Sequence, residues 1–350
     1  MDNHRGTKLP IPIEHGPGRR LVAGWLVSVA GYTGLYVLLP GWILGLAAAG
    51  EQQGGLVQLV LFLATMPMVL LIIPRSVGFI ARGRRMRALP ADELLRRDER
   101  PPVVLLRSFS DDDLIDPFPG GTYKVVPGRY ENRLVEALAA LGPVIALGRP
   151  GEKTPELGAA RLYVKDEYWQ RAIEYLMARA IAVVAVVGGS PGLWWEIESA
   201  IQLVPAERLL FFFPYPAPQG TRSSYWRAAF LQNQVFGRFV RQRLFPVMDA
   251  ERQSRYKAFR ERVNTRLPQP LPEALGDARF IAFSPEGEPM LIKPAKSSML
   301  TRALTLKLHP QMDIPFKREL QQFVATKLNA ARGQVRETQV SSSARLAPRG

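Results

Sequence analysis

Two long uncharged stretches, Leu21 to Gly50 and Gly54 to Pro74, open the chain, and only the polar triplet Glu51-Gln52-Gln53 separates them. A helix crossing the apolar core of a bilayer needs roughly 20 residues. Each stretch is therefore long enough to cross once, and the short joint makes an antiparallel transmembrane hairpin. Pro40 is expected to kink or end the first helix. Gly41 and Gly45 form a GxxxG spacing, which lets helices approach closely. A cleaved signal peptide is the weaker reading, because its apolar core would span only about 7–15 residues and a second apolar stretch follows at once.

Past a basic linker, 75–100, the pattern changes. Short apolar runs alternate with segments of helical period: PPVVLLRSF; YENRLVEALAALG, with Leu134, Ala137, Leu138 and Leu141 on one face; PVIALG; EYWQRAIEYLMARA, with Trp169, Ile173, Leu176 and Met177 on one face; IAVVAVVGG; WWEIESAIQLV; and RLLFFFP. This alternation predicts a three-layer α/β domain, a parallel sheet with helices on both faces. Ligands of such sheets bind beyond the carboxyl ends of the strands, near the point where the strand order reverses. Three loops leave those ends: RSFSDDD (107–113), GRPGE (148–152) and GGSPGLWWE (188–196). Beyond Pro214, two segments between 222 and 265 read as helices with basic faces, suited to a solvated surface or to anionic headgroups. RFIAFSPEGEPMLIK reads as a hairpin about PEG. The expected organisation is a tail 1–20, a transmembrane hairpin 21–74, the linker 75–100, an α/β domain 101–293, and a C-terminal helix with a disordered basic tail 294–350.

Charge orients the hairpin. Arg19 and Arg20 precede the first stretch, Arg75, Arg82, Arg84, Arg85 and Arg87 follow the second, and Glu51 alone marks the joint. Positive flanks stay inside, so both termini and the α/β domain are expected on the cytoplasmic side of the cell's inner membrane. The net charge of +15 raises nucleic-acid binding as an idea. Much of the excess, however, flanks the apolar stretches or lies in the C-terminal third, and no specific nucleic-acid partner is expected. With no ionisable residue inside either stretch, a transport path lacks its usual polar lining.

The absence of cysteine removes disulfides, thiolate metal sites and cysteine nucleophiles. His4, His15 and His309 are scattered, which argues against a His-based zinc site and a Ser-His-Asp triad. No Gly-rich dinucleotide fingerprint or Walker loop occurs. Catalysis, if present, must use carboxylates, hydroxyls, Arg or Lys. Glu196 has two readings. It is a first-turn acid at the positive end of a helix, or a carboxylate that holds ribose hydroxyls and stabilises an oxocarbenium-like transition state, as in glycoside hydrolysis. Trp194 and Trp195 either stack on a base or belong to the core. Arg107, Ser108 and Ser110 meet phosphate or ribose, or cap a strand end. Arg149 suits pyrophosphate, although a plain turn explains its loop as well. Asp111, Asp112 and Asp113 read better as a solvated turn than as a cation site, and no metal is expected.

Taken in order, these loops resemble a TIR domain, and more narrowly the TIR-like domains of bacterial two-span membrane proteins. The resemblance covers roughly 100–214. It rests on Phe109, Ser110 and Asp111 to Asp113 after the first strand; on Glu131, Leu134 and Leu138 in the first helix; and on the run Val183 to Gly189, then Trp194 or Trp195, Glu196-Ile197 and Ala200. The insertion LIDPFPGGTYKVVPGR (114–129) departs from the pattern. The resemblance implies a flavodoxin-like sheet, self-association into a homo-oligomer, and a signalling or defence role. It also implies that Glu196, rather than Glu198, is the catalytic residue that binds the nicotinamide ribose of NAD. NAD would then be a substrate and not a resident cofactor. A non-enzymatic, membrane-tethered interaction module is the alternative the resemblance allows.

Overall fold

Apolar sequence with no charge before Glu51 winds into Leu21–Thr33 (α1), a π-helical turn Gly34–Leu38 and Leu39–Gln53 (α2), which follow one another without a break. The computed structural model describes residues 12–14, 20–53, 60, 63–64, 72, 75–76, 78–108, 130–152, 158–215, 236–293, 320–327 and 329. By length and composition Leu21–Gly45 can cross a membrane. The second apolar stretch, 54–74, lies almost wholly outside the described residues. Among the described residues there is therefore one such helix, where a pair was expected. Pro40 does not end the helix. Its ring clashes with the carbonyl four residues back, and the wide turn that closes just before it opens that space. Among the described residues the GxxxG pair makes no contact: a Cβ on Gly41 or Gly45 would meet nothing within 4 Å. The small residues that pack are Gly24, Ser28, Gly31 and Gly34, against Ser76, Ile80 and Gly83 of the helical residues 78–86 and their approach.

Part of the linker belongs to the fold. Ala91–Arg97 (α3) buries Ala91 completely and lays Leu94 and Leu95 on the domain core. Apolar runs without polar interruption then make strands covered on both faces. Val103–Leu106 (β1), Val144–Leu147 (β2), Ala160–Leu162 (β3), Ala182–Val186 (β4) and Leu209–Phe212 (β5) run parallel. All but β3 are buried at every position. Phe280–Phe283 (β6) and Pro289–Ile292 (β7) pair antiparallel, and β6 closes on the free edge of β5. The order is β3-β2-β1-β4-β5-β6-β7, a mixed and mostly parallel seven-stranded sheet compatible with a flavodoxin-like fold.

The hairpin turn falls at PEG, with Gly287 at φ 83, and the hairpin adds two antiparallel strands to the expected parallel sheet. β5 is the last parallel strand, and the hairpin covers its edge without a further crossover. β3 was not expected, because Arg161 interrupts a three-residue strand.

Helices cover both faces. Tyr130–Leu138 (α4) and the helical residues 321–327 lie on one, through Leu134, Leu138, Leu320 and Phe323. Trp169–Arg179 (α5), Pro191–Leu203 (α6) and Phe236–Val263 (α7) lie on the other. α7 replaces part of the two basic helices expected between 222 and 265, of which 216–235 lie outside the described residues. It is also a core element. Phe259 sits 5.0 Å from Phe211, 5.3 Å from Phe213 and 5.8 Å from Trp194 between ring centres.

Candidate functional site

From β1 the chain steps outward to β2 and β3, then returns past β1 to β4. The strand order therefore reverses between β1 and β4, where the crossovers diverge and leave a crevice. A cleft of about 160 Å³ opens there. β1 contributes Leu105 and, just past its end, Arg107; β2 and its loop contribute Leu147, Gly148 and Pro150. The approach to α5 adds Val164, Asp166 and Trp169, and the β4–α6 junction adds Ser190, Gly192, Leu193 and Glu196.

α6 begins earlier than WWEIESAIQLV suggested. Ser190 caps it, its hydroxyl accepting from Leu193 N at 3.4 Å, and Pro191 occupies the first turn, where its missing N–H costs nothing. Glu196 consequently lies in the second turn, and no acid stands in the first. The dipole explanation for Glu196 falls with that start. At 100° per residue, two residues on a helix point to nearly opposite sides. Glu196 faces the cleft, while Glu198 faces α7 and accepts from Arg262 at 3.0 Å and Arg266 at 2.7 Å. Hydrogen bonding from Arg262, with Arg266 in support, holds the Glu198 carboxyl below its ordinary range.

Glu196 is only 8% exposed, and its Oε2 finds no donor among the described residues. Burial pushes its pKa to about 8, although the Arg107 charge pulls the other way. Near neutrality the group is mostly a neutral acid. Arg107 is itself buried and stands with Nε 3.4 Å from Oε2 of Glu131 on α4. The Glu131 carboxylate also takes Arg161 Nη2 at 2.9 Å and the Ala159 N–H at 3.1 Å. Gly158, at φ 141, makes this possible: a Cβ there would strike the Glu131 carboxylate. Two buried guanidiniums thus share one carboxylate, and Arg107 is the one whose charge reaches Glu196.

At the β2 end, Gly148 leaves room for the Tyr163 ring, whose hydroxyl donates to Glu152 Oε2 at 2.9 Å. Burial, with Glu152 adding to it, raises the Tyr163 phenol above its ordinary range.

The residues singled out in the sequence divide. Arg107 and Glu196 line the cleft together. Ser108 is buried beside it without lining it. Ser110 and Asp111 to Asp113 lie outside the described residues. Arg149 is exposed, and its loop reaches the cleft through Gly148 and Pro150 instead. Neither tryptophan of the pair lines the cleft. Trp194 stacks on Phe259 with Arg262 4.3 Å over its ring, and Trp195 meets Trp169 edge to face at 4.8 Å. Trp169 is the aromatic of the site. Its place in a helical apolar stripe explained it as core and hid this role. Ser190 was legible as a capping residue before Pro191, whereas Asp166 carries no sequence signal. Among the described residues no three His, Cys, Asp or Glu groups gather as a metal site.

The arrangement suits a small ring with a polar substituent. An engineered cavity of roughly 150 Å³ accepts benzene. Here the floor is Leu105, Leu147 and Leu193, and Trp169 forms a wall. Arg107 and the open amino end of α6, where a Cβ on Gly192 would meet nothing within 4 Å, favour negative charge nearby. Glu196 can accept a hydrogen bond or, once ionised, face a positive charge. No protein-family model, curated protein or solved structure matches this chain.

Proposed function

We propose that the chain is a membrane-anchored signalling or defence protein whose TIR-like cytoplasmic domain binds NAD or a related nucleotide in the switch-point cleft. Hydrolysis of the bond between nicotinamide and ribose is the reaction such a site would carry, with Glu196 as its carboxylate. In this reading residues 21–74 form a two-span hairpin in the inner membrane, both termini are cytoplasmic, and the working form is a homo-oligomer. One observation carries the proposal: Glu196, more than nine-tenths buried with an oxygen lacking a donor among the described residues, opens onto a ring-sized cleft at the strand-order reversal. The nicotinamide ring of NAD is cationic. Beside Glu196 it would supply the positive charge that favours the carboxylate over the acid.

The test is NAD binding and nicotinamide release by the full chain reconstituted at high density in liposomes. Glu196→Gln should abolish release. Unchanged consumption by this variant, or no binding by either protein, refutes the proposal.

A second reading, a non-enzymatic interaction module, is favoured by the outward placement of Arg149 and the packing of Trp194 and Trp195 away from the cleft. Cross-linking in cells separates the two, because a module keeps its partners when Glu196 is changed to Gln.

A further inference from the structure

Leu21–Thr33 is uncharged, yet the helix beside it is not. Gly24 abuts Gly83, Gly31 abuts Ile80 and Gly34 abuts Ser76, so residues 76–86 run antiparallel to α1. This register sets Arg75 level with Gly34 and brings Arg82, Arg84, Arg85 and Arg87 alongside the first turns of α1. Arg84 Nη2 donates to the Tyr32 hydroxyl at 3.1 Å; Arg87 Nη1 donates to Ser28 Oγ at 2.9 Å, and its guanidinium lies 4.2 Å over the Trp25 ring. Arg20, Arg75, Arg82 and Arg84 are exposed. Between Gly16 and Ala91 the only acid is Glu51, at the far end of the hairpin.

A hydrocarbon layer that began at Leu21 would draw all five return-helix arginines in with it, which the bilayer resists. The uncharged return, Gly54 to Pro74, stops at Arg75. In a hairpin, the 20 residues from Gly34 to Gln53 would match it. At roughly 1.5 Å per residue these span about 30 Å, the thickness of the hydrocarbon core.

We propose that the hydrocarbon boundary lies near Gly34, about three turns beyond the start of the apolar sequence, and that the helix pair outside it is a collar binding anionic phospholipid headgroups. Arg75, Arg82 and Arg84 supply the charge. Trp25 and Tyr32 are aromatic types that favour the headgroup level. The absence of acids from this end of the pair makes the complementarity one-sided, and cationic segments at a membrane surface attract anionic lipid. This rests on the hairpin reading of 21–74 and is independent of the nucleotide cleft.

The chain has no cysteine, so single cysteines in the full reconstituted chain report without background. An impermeant maleimide added on the domain side should label Leu26→Cys and Val29→Cys, and leave Val37→Cys and Ile43→Cys unlabelled. Protection of all four overturns the boundary. Labelling of all four overturns the hairpin and the collar with it, which distinguishes the two failures. Spin-labelled phosphatidylglycerol should associate with the chain more than spin-labelled phosphatidylcholine. Arg82→Gln and Arg84→Gln should each weaken that preference roughly five-fold, while the maleimide pattern shows that the variants still insert. Equal association of the two lipids overturns headgroup binding. A preference unchanged in the double variant overturns the collar.

Discussion

Glu196→Gln should make the protein less sensitive to alkali. The Glu196 carboxyl titrates near 4.5 in an unfolded chain and at about 8 in the fold, because burial disfavours its charge. The folded state therefore holds a proton that the unfolded state has released between these values. The resulting stability is fully present below pH 4.5 and is lost as the pH rises through 8. The slope is about 1.4 kcal/mol per pH unit, so this one group removes about 3 kcal/mol between pH 5 and pH 7. Glutamine keeps the shape and cannot titrate. Thermal unfolding of the detergent-solubilised full chain, followed by tryptophan fluorescence from pH 5 to pH 8, is the assay. The Tm of the variant relative to the unsubstituted protein should climb by roughly 6–12 °C across two pH units, at about 2–4 °C per kcal/mol for a domain of this size. Parallel curves for the two proteins would show that Glu196 ionises freely in the fold and would refute the argument.

Three further outcomes follow from the same site. Binding of a cationic nicotinamide ring should tighten with pH by up to about tenfold per unit below pH 8, release a proton detectable by calorimetry in two buffers, and become pH-independent in Glu196→Gln. Glu131→Ala leaves the buried Arg107 and Arg161 without their shared carboxylate; it should cost about 3–5 kcal/mol in urea denaturation, and a loss below about 1 kcal/mol would show that the pair is not held as a buried network. Trp169→Ala should weaken nucleotide binding by more than tenfold in a direct titration, while Trp194→Ala should lower stability and leave affinity near its original value, the core reading of the paired tryptophans.

The parallel core was legible because its physics is local. IAVVAVVGG and RLLFFFP are strands on composition alone, since an uninterrupted apolar run of that length has to be covered on both faces. The switch-point loops followed from the alternation of those runs with helical periods. What escaped depended on distant partners. β3 is three residues long with Arg161 at its centre, and Glu131, 30 positions earlier, is the partner that makes a buried arginine there tolerable among the described residues. The basic helices beyond Pro214 looked solvated because charge dominates their composition, yet Tyr256, Phe259 and Val263 are buried among Phe211, Phe213 and the neighbouring helix.

The site shows the same division within a single turn of helix. A sequence pattern distinguishes Glu196 from Glu198, but it cannot say which one loses water. The difference arises from the face of α6 that packs. Leu193, Ile197 and Ala200 are buried on the sheet side, which carries Glu196 inward and leaves Glu198 facing α7. Glu198 then acquires two arginines and stays ionised, while Glu196 acquires burial and one arginine that is itself engaged by Glu131. Two identical side chains two residues apart thus sit on opposite sides of neutrality, and only the inner one can respond to a charge brought into the cleft. Ser190→Gly, which keeps the backbone start at a cost of a few tenths of a kcal/mol, should leave the alkaline titration of Glu196 in place.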